Sequence, residues 1–240
     1  MNVRLPRMRL SRFDHLAMLG LLLGALLLAG KGWLDAHPEH NPWTPLDLRD
    51  PPGWATARKL AALRDDPGVC RAVLDRSGIA FTALDPAGEE SCARPDRTVL
   101  PDYPLRPTSP PTTCSVAASL HMWLDRAQQS ARATMGSPIA RIDHLGAYSC
   151  RRLYGRGSGP WSEHATGNAI DIAGFVLEDG TQISVLRDWN EDGEKAAFLR
   201  SVREDACGIF GTVLSPDYNA AHRDHFHLDQ APRGFGGVCR

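Results

Sequence analysis

The last third of the chain contains the stretch Ser162-Glu163-His164-Ala165-Thr166-Gly167-Asn168-Ala169-Ile170-Asp171 and, further along, Asp224-His225-Phe226-His227. Imidazole and carboxylate groups are ordinary zinc ligands, and each stretch carries both. Neither stretch supplies enough ligands alone. The pair therefore predicts a fold that brings the two stretches to one site.

The second stretch is typical of a β-strand that carries ligands. Alternate side chains on a strand face the same side, so His225 and His227 would share one side while Phe226 packs into the core. Two histidines and one aspartate with an open fourth position are typical of a catalytic zinc site. Asp229 is a candidate to hold a ligand histidine through its free ring nitrogen, although a surface carboxylate fits the sequence equally well. The first stretch, taken alone, also fits a turn-capping aspartate and a surface histidine.

Apolar residues recur at regular spacings after Cys114. They predict a helix that begins after Thr112-Thr113 and a second helix that ends near Cys207-Gly208. Short strands are predicted over 139–148, 169–177, 182–186, 209–214 and 225–229, with an Asp-Gly turn between the second and third. Because these elements interleave without a βαβ rhythm, the expected fold class is α+β. It consists of a small antiparallel sheet with flanking helices, stabilised by disulfides.

Residues 1–34 are expected to be a basic head followed by a membrane signal anchor. The uncharged run extends from Leu16 to Gly30, and four arginines precede it: Arg4, Arg7, Arg9 and Arg12. Arginines before a span keep the N-terminus in the cytoplasm and send the rest of the chain outward. A cleaved signal peptide is the alternative, and a buried core helix is disfavoured by the flanking arginines.

The chain contains six cysteines, all of which follow the apolar run. An even number of cysteines in an exported chain indicates up to three disulfides, for which 15 pairings are possible. Pairing of sequence neighbours is expected, because it closes loops of moderate length. A cysteine zinc site is disfavoured, since no two cysteines have the close spacing of such sites.

The composition divides the rest of the chain into two parts. Residues 35–66 contain five closely spaced prolines and are expected to form a tether, and residues 67–240 are expected to form the globular domain. A hydrophobic content of 42% is sufficient for one buried core. The formal net charge of −1 and the lack of a basic, aromatic-rich run argue against a nucleic-acid partner.

The two zinc-site stretches resemble the motifs of a known group of enzymes. The pattern Ser-x-His-x-x-Gly-x-Ala-x-Asp, followed by Asp-x-x-His, resembles that of the LAS-type zinc peptidases, which include D-Ala-D-Ala carboxypeptidases and murein endopeptidases. From Ile139 onward the chain is also similar to the bacterial extensin-like C-terminal domain, through the stretches 144–151, 184–189 and 210–229. This second resemblance starts near Cys70 and leaves the anchor and the tether outside.

The resemblance to the peptidases implies a role for each site residue. His164, Asp171 and His227 would bind Zn²⁺, and Asp224 would be the general base. Two further residues would assist: His225 would stabilise the oxyanion or orient the attacking water, and Arg151 would contact the scissile carbonyl.

The implied protein is a zinc-dependent peptidase or amidase that acts on peptidoglycan peptides. It would be attached to the bacterial inner membrane by a single span, with its C-terminal domain in the periplasm. A wall-binding module that keeps the fold without catalysis is the alternative. A purely structural zinc site or a metal-free scaffold is disfavoured, because no fourth protein ligand is evident.

Overall fold

The longest strand of the protein, β5, lies near the middle of its main sheet. The computed structural model describes residues 11–233 and 237–240. The strands are β1 (Thr82–Ala83), β2 (Thr98–Val99), β3 (Leu105–Arg106), β4 (Ile139–Gly146), β5 (Ala169–Leu177), β6 (Gln182–Ser184), β7 (Thr212–Leu214), β8 (Phe226–Asp229) and β9 (Val238–Cys239). β1 and β2 form a separate pair, and the main sheet has the order β3-β4-β5-β8-β7-β9, with β6 also paired to β5.

The described residues form several helices, and all of them except the first pack on the sheet or on one another. They are α1 (Arg12–Ala36), α2 (Thr56–Ala62), α3 (Pro67–Arg76), α4 (Cys114–Met135), α5 (Val185–Asp188) and α6 (Glu194–Cys207). The α+β class and the small sheets are confirmed. The sheet is not wholly antiparallel, however, because β3 pairs with β4 and β9 pairs with β7 in parallel. The strand predicted over 182–186 also stops at Ser184, because α5 begins at Val185.

The core forms where α4 and α6 pack on the sheet. Thr113 caps α4 by accepting a hydrogen bond from the backbone of Val116, so the predicted start of this helix is confirmed. Trp123 of α4 is buried against Phe175 of β5, and its indole nitrogen donates to the Val202 carbonyl of α6 at 2.8 Å. This contact joins both long helices of the domain to the central strand.

The N-terminal helix α1 stands apart from this core. None of its residues is buried, which contradicts the core-helix reading. The helix is long and apolar enough to cross a membrane, although a signal sequence has the same character. Of the four basic-head arginines, Arg12 begins α1, and Arg4, Arg7 and Arg9 lie outside the described residues.

The segment expected to be a tether packs against the domain. Four of its leucines belong to the buried core: Leu46, Leu48, Leu60 and Leu63. The prediction that residues 35–66 form a tether is therefore wrong for the part that carries these leucines. The leucines are too widely and unevenly spaced to form a regular apolar pattern in the sequence.

Three disulfides join the six cysteines: Cys70–Cys114, Cys92–Cys150 and Cys207–Cys239. Pairing of sequence neighbours is therefore correct for the last bond and wrong for the first two. The first two pairings depend on tertiary packing and not on spacing along the chain. α3 packs beside α4, and this contact brings Cys70 to Cys114 in the core.

Candidate metal centre

Local backbone structure brings the two predicted stretches together. Asp171 on β5 is directly opposite His227 on the antiparallel strand β8. His164 lies on a single 3₁₀ turn, Glu163–Thr166, that leads into β5. Ser162 caps this turn, and Gly167 ends it with a φ of 74°, a left-handed conformation that glycine adopts readily. The turn and the strand register together place the three side chains at one point.

The three predicted ligands meet at short and nearly equal distances. His164 Nε2 lies 3.1 Å from Asp171 Oδ1, His227 Nδ1 lies 3.0 Å from the same oxygen, and the two nitrogens are 3.1 Å apart. All three residues are buried. The structure therefore brings together the whole ligand set proposed from the sequence.

In each histidine ring one nitrogen faces the Asp171 carboxylate (the inner nitrogen) and the other faces away from it (the outer nitrogen). The bond that the outer nitrogen makes determines whether the inner nitrogen carries a proton. His164 Nδ1 lies 3.2 Å from the carbonyl oxygen of Ala147, and His227 Nε2 lies 3.0 Å from Asp229 Oδ2. Both oxygens can only accept, so both outer nitrogens must donate their protons. The inner nitrogens of the neutral rings then carry lone pairs that face each other and the carboxylate. Such a triangle of lone pairs is repulsive unless a cation lies among them.

The donor set and its size suit zinc. A tetrahedral zinc ion with bonds of about 2.0–2.1 Å holds its ligand atoms about 3.3 Å apart, and the triangle is only slightly tighter. Asp229 is 2% exposed, so it is not a surface carboxylate. By accepting from Nε2 it leaves Nδ1 of His227 available to a metal, as carboxylates behind ligand histidines commonly do.

The pKa values show that the site attracts positive charge. Burial by itself lowers the pKa of His227, but hydrogen bonds and charge from Asp171 and Asp229 outweigh it and raise the pKa to about 9. Burial also opposes ionisation of Asp171. There the hydrogen bonds from His164 and His227 prevail and hold the pKa of the carboxyl well below its usual range. The metal-free site would thus hold a proton where we expect the metal.

His225 borders the triangle, whereas Asp224 lies behind His225. His225 Nε2 is 3.5 Å from Asp171 Oδ1, and its Nδ1 is 2.8 Å from Asp224 Oδ1. Both His225 and His227 therefore lie near Asp171 Oδ1, although β8 begins at Phe226 and His225 precedes the strand that was predicted to carry it. Phe226 between them is buried against Trp189. The carboxylate of Asp224 is 39% exposed and is not one of the three converging donors.

Two further residues lie beside the centre. The ring of His222 lies 5.3 Å from that of His225 and 5.9 Å from that of His227. Burial, followed by the nearby positive charges, lowers the pKa of His222 to about 4. The side chain of Arg151 is exposed, and its backbone carbonyl accepts from Ser162 N at 3.1 Å, next to the His164 turn. Arg151 thus borders the centre but forms no hydrogen bond or ion pair with the three donors.

A second group of possible ligands is excluded by its chemistry. Glu204, Cys207 and Cys239 also lie close together, but the two cysteines form a disulfide and offer no thiolate. Sequence reasoning missed one supporting atom of the main centre, the Ala147 carbonyl oxygen. It is a backbone atom just beyond the end of β4, so no residue type could reveal it.

Comparison with known families identifies the class of the domain. The family model described as extensin-like protein C-terminus matches residues 68–240, and the chain belongs to this family. Comparison with curated proteins and with solved structures finds no match in either. The relation to the LAS-type peptidases therefore has no support beyond the two motifs and stays a prediction.

Proposed function

We propose that the protein is a zinc-dependent hydrolase that cleaves peptide bonds of peptidoglycan. The observation that carries the proposal is the buried triangle of His164, Asp171 and His227. The outer nitrogen of each ring is bonded to an oxygen, so the other nitrogen of each ring faces one carboxylate oxygen, where a metal would replace the proton. A structural zinc site would normally be closed by a fourth protein ligand, whereas the group of possible ligands found among the described residues has three.

The neighbouring residues supply the groups that hydrolysis needs. A bound zinc ion would polarise a substrate carbonyl and activate water for attack on it. Asp224 accepts the Nδ1 proton of His225, which leaves Nε2 of His225 directed at the centre as a proton acceptor. We propose that Asp224 provides the general base through this pair. Protonated His225 would then return the proton to the leaving amine.

Arg151 is proposed to contact the scissile carbonyl. Its guanidinium forms no ion pair within the described ranges, and its charge contributes to the lowered pKa of His222. The Cys92–Cys150 disulfide fixes the chain immediately before it. A fixed backbone and an unpaired cation at the rim of the centre suit a residue that orients substrate.

The proposed location follows from the N-terminal helix and the disulfides. α1 would span the bacterial inner membrane once, with the arginines of the head on the cytoplasmic side. The domain would then lie in the periplasm, where three disulfides are stable and peptidoglycan is accessible. The peptide stems and cross-links of the wall are the proposed substrate.

The test is incubation of the full-length, detergent-solubilised protein with purified muropeptides, followed by mass analysis of the products. Zinc-loaded wild type should release peptide fragments, and Asp224→Asn should keep zinc but lose at least about 100-fold in rate. His144→Gln is the matched control, since this histidine bonds to the Thr108 carbonyl and to none of the three donors. Zinc-loaded protein that binds muropeptides without cleaving them would identify a wall-binding module instead.

A further inference from the structure

Four aromatic rings stack where α1 meets the domain. Trp33, in the last turns of the helix, lies 4.5 Å from His37 and 5.2 Å from His40 between ring centroids. His40 in turn stacks on Trp54 at 5.9 Å, with the planes 20° apart. The stack continues from the apolar helix into the segment before α2, so the end of α1 and the domain share one aromatic surface.

Hydrogen bonds hold this junction in place. Asn41 Nδ2 donates to the Leu34 carbonyl of α1 at 3.4 Å, and Lys59 Nζ donates to the Pro38 carbonyl at 2.7 Å. The chain around Gly53 packs so closely on Glu39 that a Cβ at Gly53 would lie 2.5 Å from the Glu39 carbonyl oxygen. The helix therefore leads into a folded junction and not into a free linker.

The length of α1 determines where this junction would meet a bilayer. Trp33 lies 21 residues after Arg12, which is about 32 Å along a helix, and the hydrocarbon core of a bilayer is about 30 Å thick. The uncharged run ends at Gly30, after which Lys31 pairs with Asp35 on the next turn. If Arg12 lies at one interface, Trp33 lies at the other.

The side chains at the junction suit the interfacial layer of a membrane. Three tryptophans there are exposed to an unusual degree: Trp33 (47%), Trp54 (63%) and Trp43 (81%). Indole rings are enriched at the headgroup level, where one part of the ring is apolar and the N–H stays hydrated. Arg58, one helical turn after Trp54, is exposed and forms no ion pair within the described ranges, so it is free to meet lipid phosphates.

We propose that Trp33, Trp43 and Trp54 form a tryptophan collar that inserts into the phospholipid headgroup layer on the side of the membrane that carries the domain. The collar fixes the domain directly on the bilayer surface, and the residues between Trp33 and Trp54 make the contact with the headgroups. This inference rests on the proposed role of α1 as a membrane span. It replaces the idea of a domain held away from the membrane by a proline-rich tether.

The test uses full-length protein reconstituted in phospholipid vesicles with acyl chains brominated near the headgroup. The quantity measured is the quenchable share, the fraction of the tryptophan fluorescence that the brominated lipid can quench. The chain has six tryptophans, so with equal emission from each this share is about one half when three lie in the interface. Trp54→Phe or Trp43→Phe should lower it to about two fifths, and the control Trp161→Phe should raise it to about three fifths. Trp43 offers a second variant because its side chain is highly exposed and its loss should not affect folding.

Extraction of the same vesicles with alkaline carbonate separates the two possible failures. Protein that stays in the membrane while its quenchable share rises in all three variants alike would overturn the collar and leave the span intact. Protein that is released from the membrane would overturn the span and the collar together.

Discussion

Removal of the carboxylate behind His227 is the sharpest perturbation of the candidate centre. In Asp229→Asn the side chain keeps its shape, and its oxygen can still accept from the Ala231 backbone, as Asp229 Oδ1 does at 2.8 Å. The new amide group then faces His227 Nε2, where two donors would meet. The ring escapes this clash by carrying its proton on Nδ1 instead. A protonated Nδ1 offers no lone pair to the metal.

The expected cost follows from the loss of this orienting bond. Loss of a carboxylate partner behind a ligand histidine weakens metal binding about 10- to 100-fold, or by about 1.4–2.7 kcal/mol. The lost bond is buried and has a length of 3.0 Å, so we expect a loss of affinity near the upper end of this range. Zinc affinity is measured by competition with a chromogenic chelator, using full-length protein in detergent.

Asp217→Asn is the matched control for this experiment. Asp217 also accepts a bond from an aromatic ring nitrogen, Trp189 Nε1 at 2.9 Å, but has no contact with the three donors. Its zinc affinity should stay within about twofold of wild type. If folded Asp229→Asn binds zinc as tightly as wild type, the tautomer argument for the centre is wrong.

Three other predictions concern stability and connectivity. Folding raises the pKa of His227 from 6.5 to about 9, so the metal-free protein should lose stability as the pH rises from about 6.5 to 9, and bound zinc should abolish this loss. A free energy of unfolding that does not change with pH in denaturant titrations without zinc would contradict the raised pKa. Leu60→Ala should lower the free energy of unfolding by about 2–5 kcal/mol in chemical denaturation because its side chain is fully buried, whereas Leu186→Ala, at an exposed position, should lower it by less than about 0.5 kcal/mol. Equal effects would show that residues 35–66 are a tether after all. Peptide mapping without reduction should find Cys92 joined to Cys150. A disulfide from either residue to the next cysteine along the sequence would refute the fold around the centre.

The sequence predicted the elements that carry the site because their signals are local. The capping threonine before α4 and the burial of Phe226 in the core were each predicted from neighbouring residues only, and both are confirmed. The resemblance to the LAS-type peptidases implied the three ligands, and the residue types of the two stretches predicted their meeting. It is realised by the register that sets Asp171 opposite His227.

Features that depend on tertiary packing were out of reach. The first two disulfides follow from the placement of α3 and of the 148–161 loop, which spacing along the chain does not determine. Leu48 and Leu60 reach the core from a proline-rich segment whose composition suggests exposure. The contact of Asp224 with His225 depends on how the chain turns into β8, since either residue alone would fit a direct role at the metal.

The central claim is that His164, Asp171 and His227 hold one zinc ion. X-ray absorption at the zinc edge of the purified full-length protein tests it most directly. We predict about one zinc per chain, bound only by nitrogen and oxygen at about 2.0–2.1 Å, and its loss in His164→Ala while the protein stays folded. Folded wild-type protein that takes up no zinc, or zinc bound by sulfur at about 2.3 Å, would contradict the account.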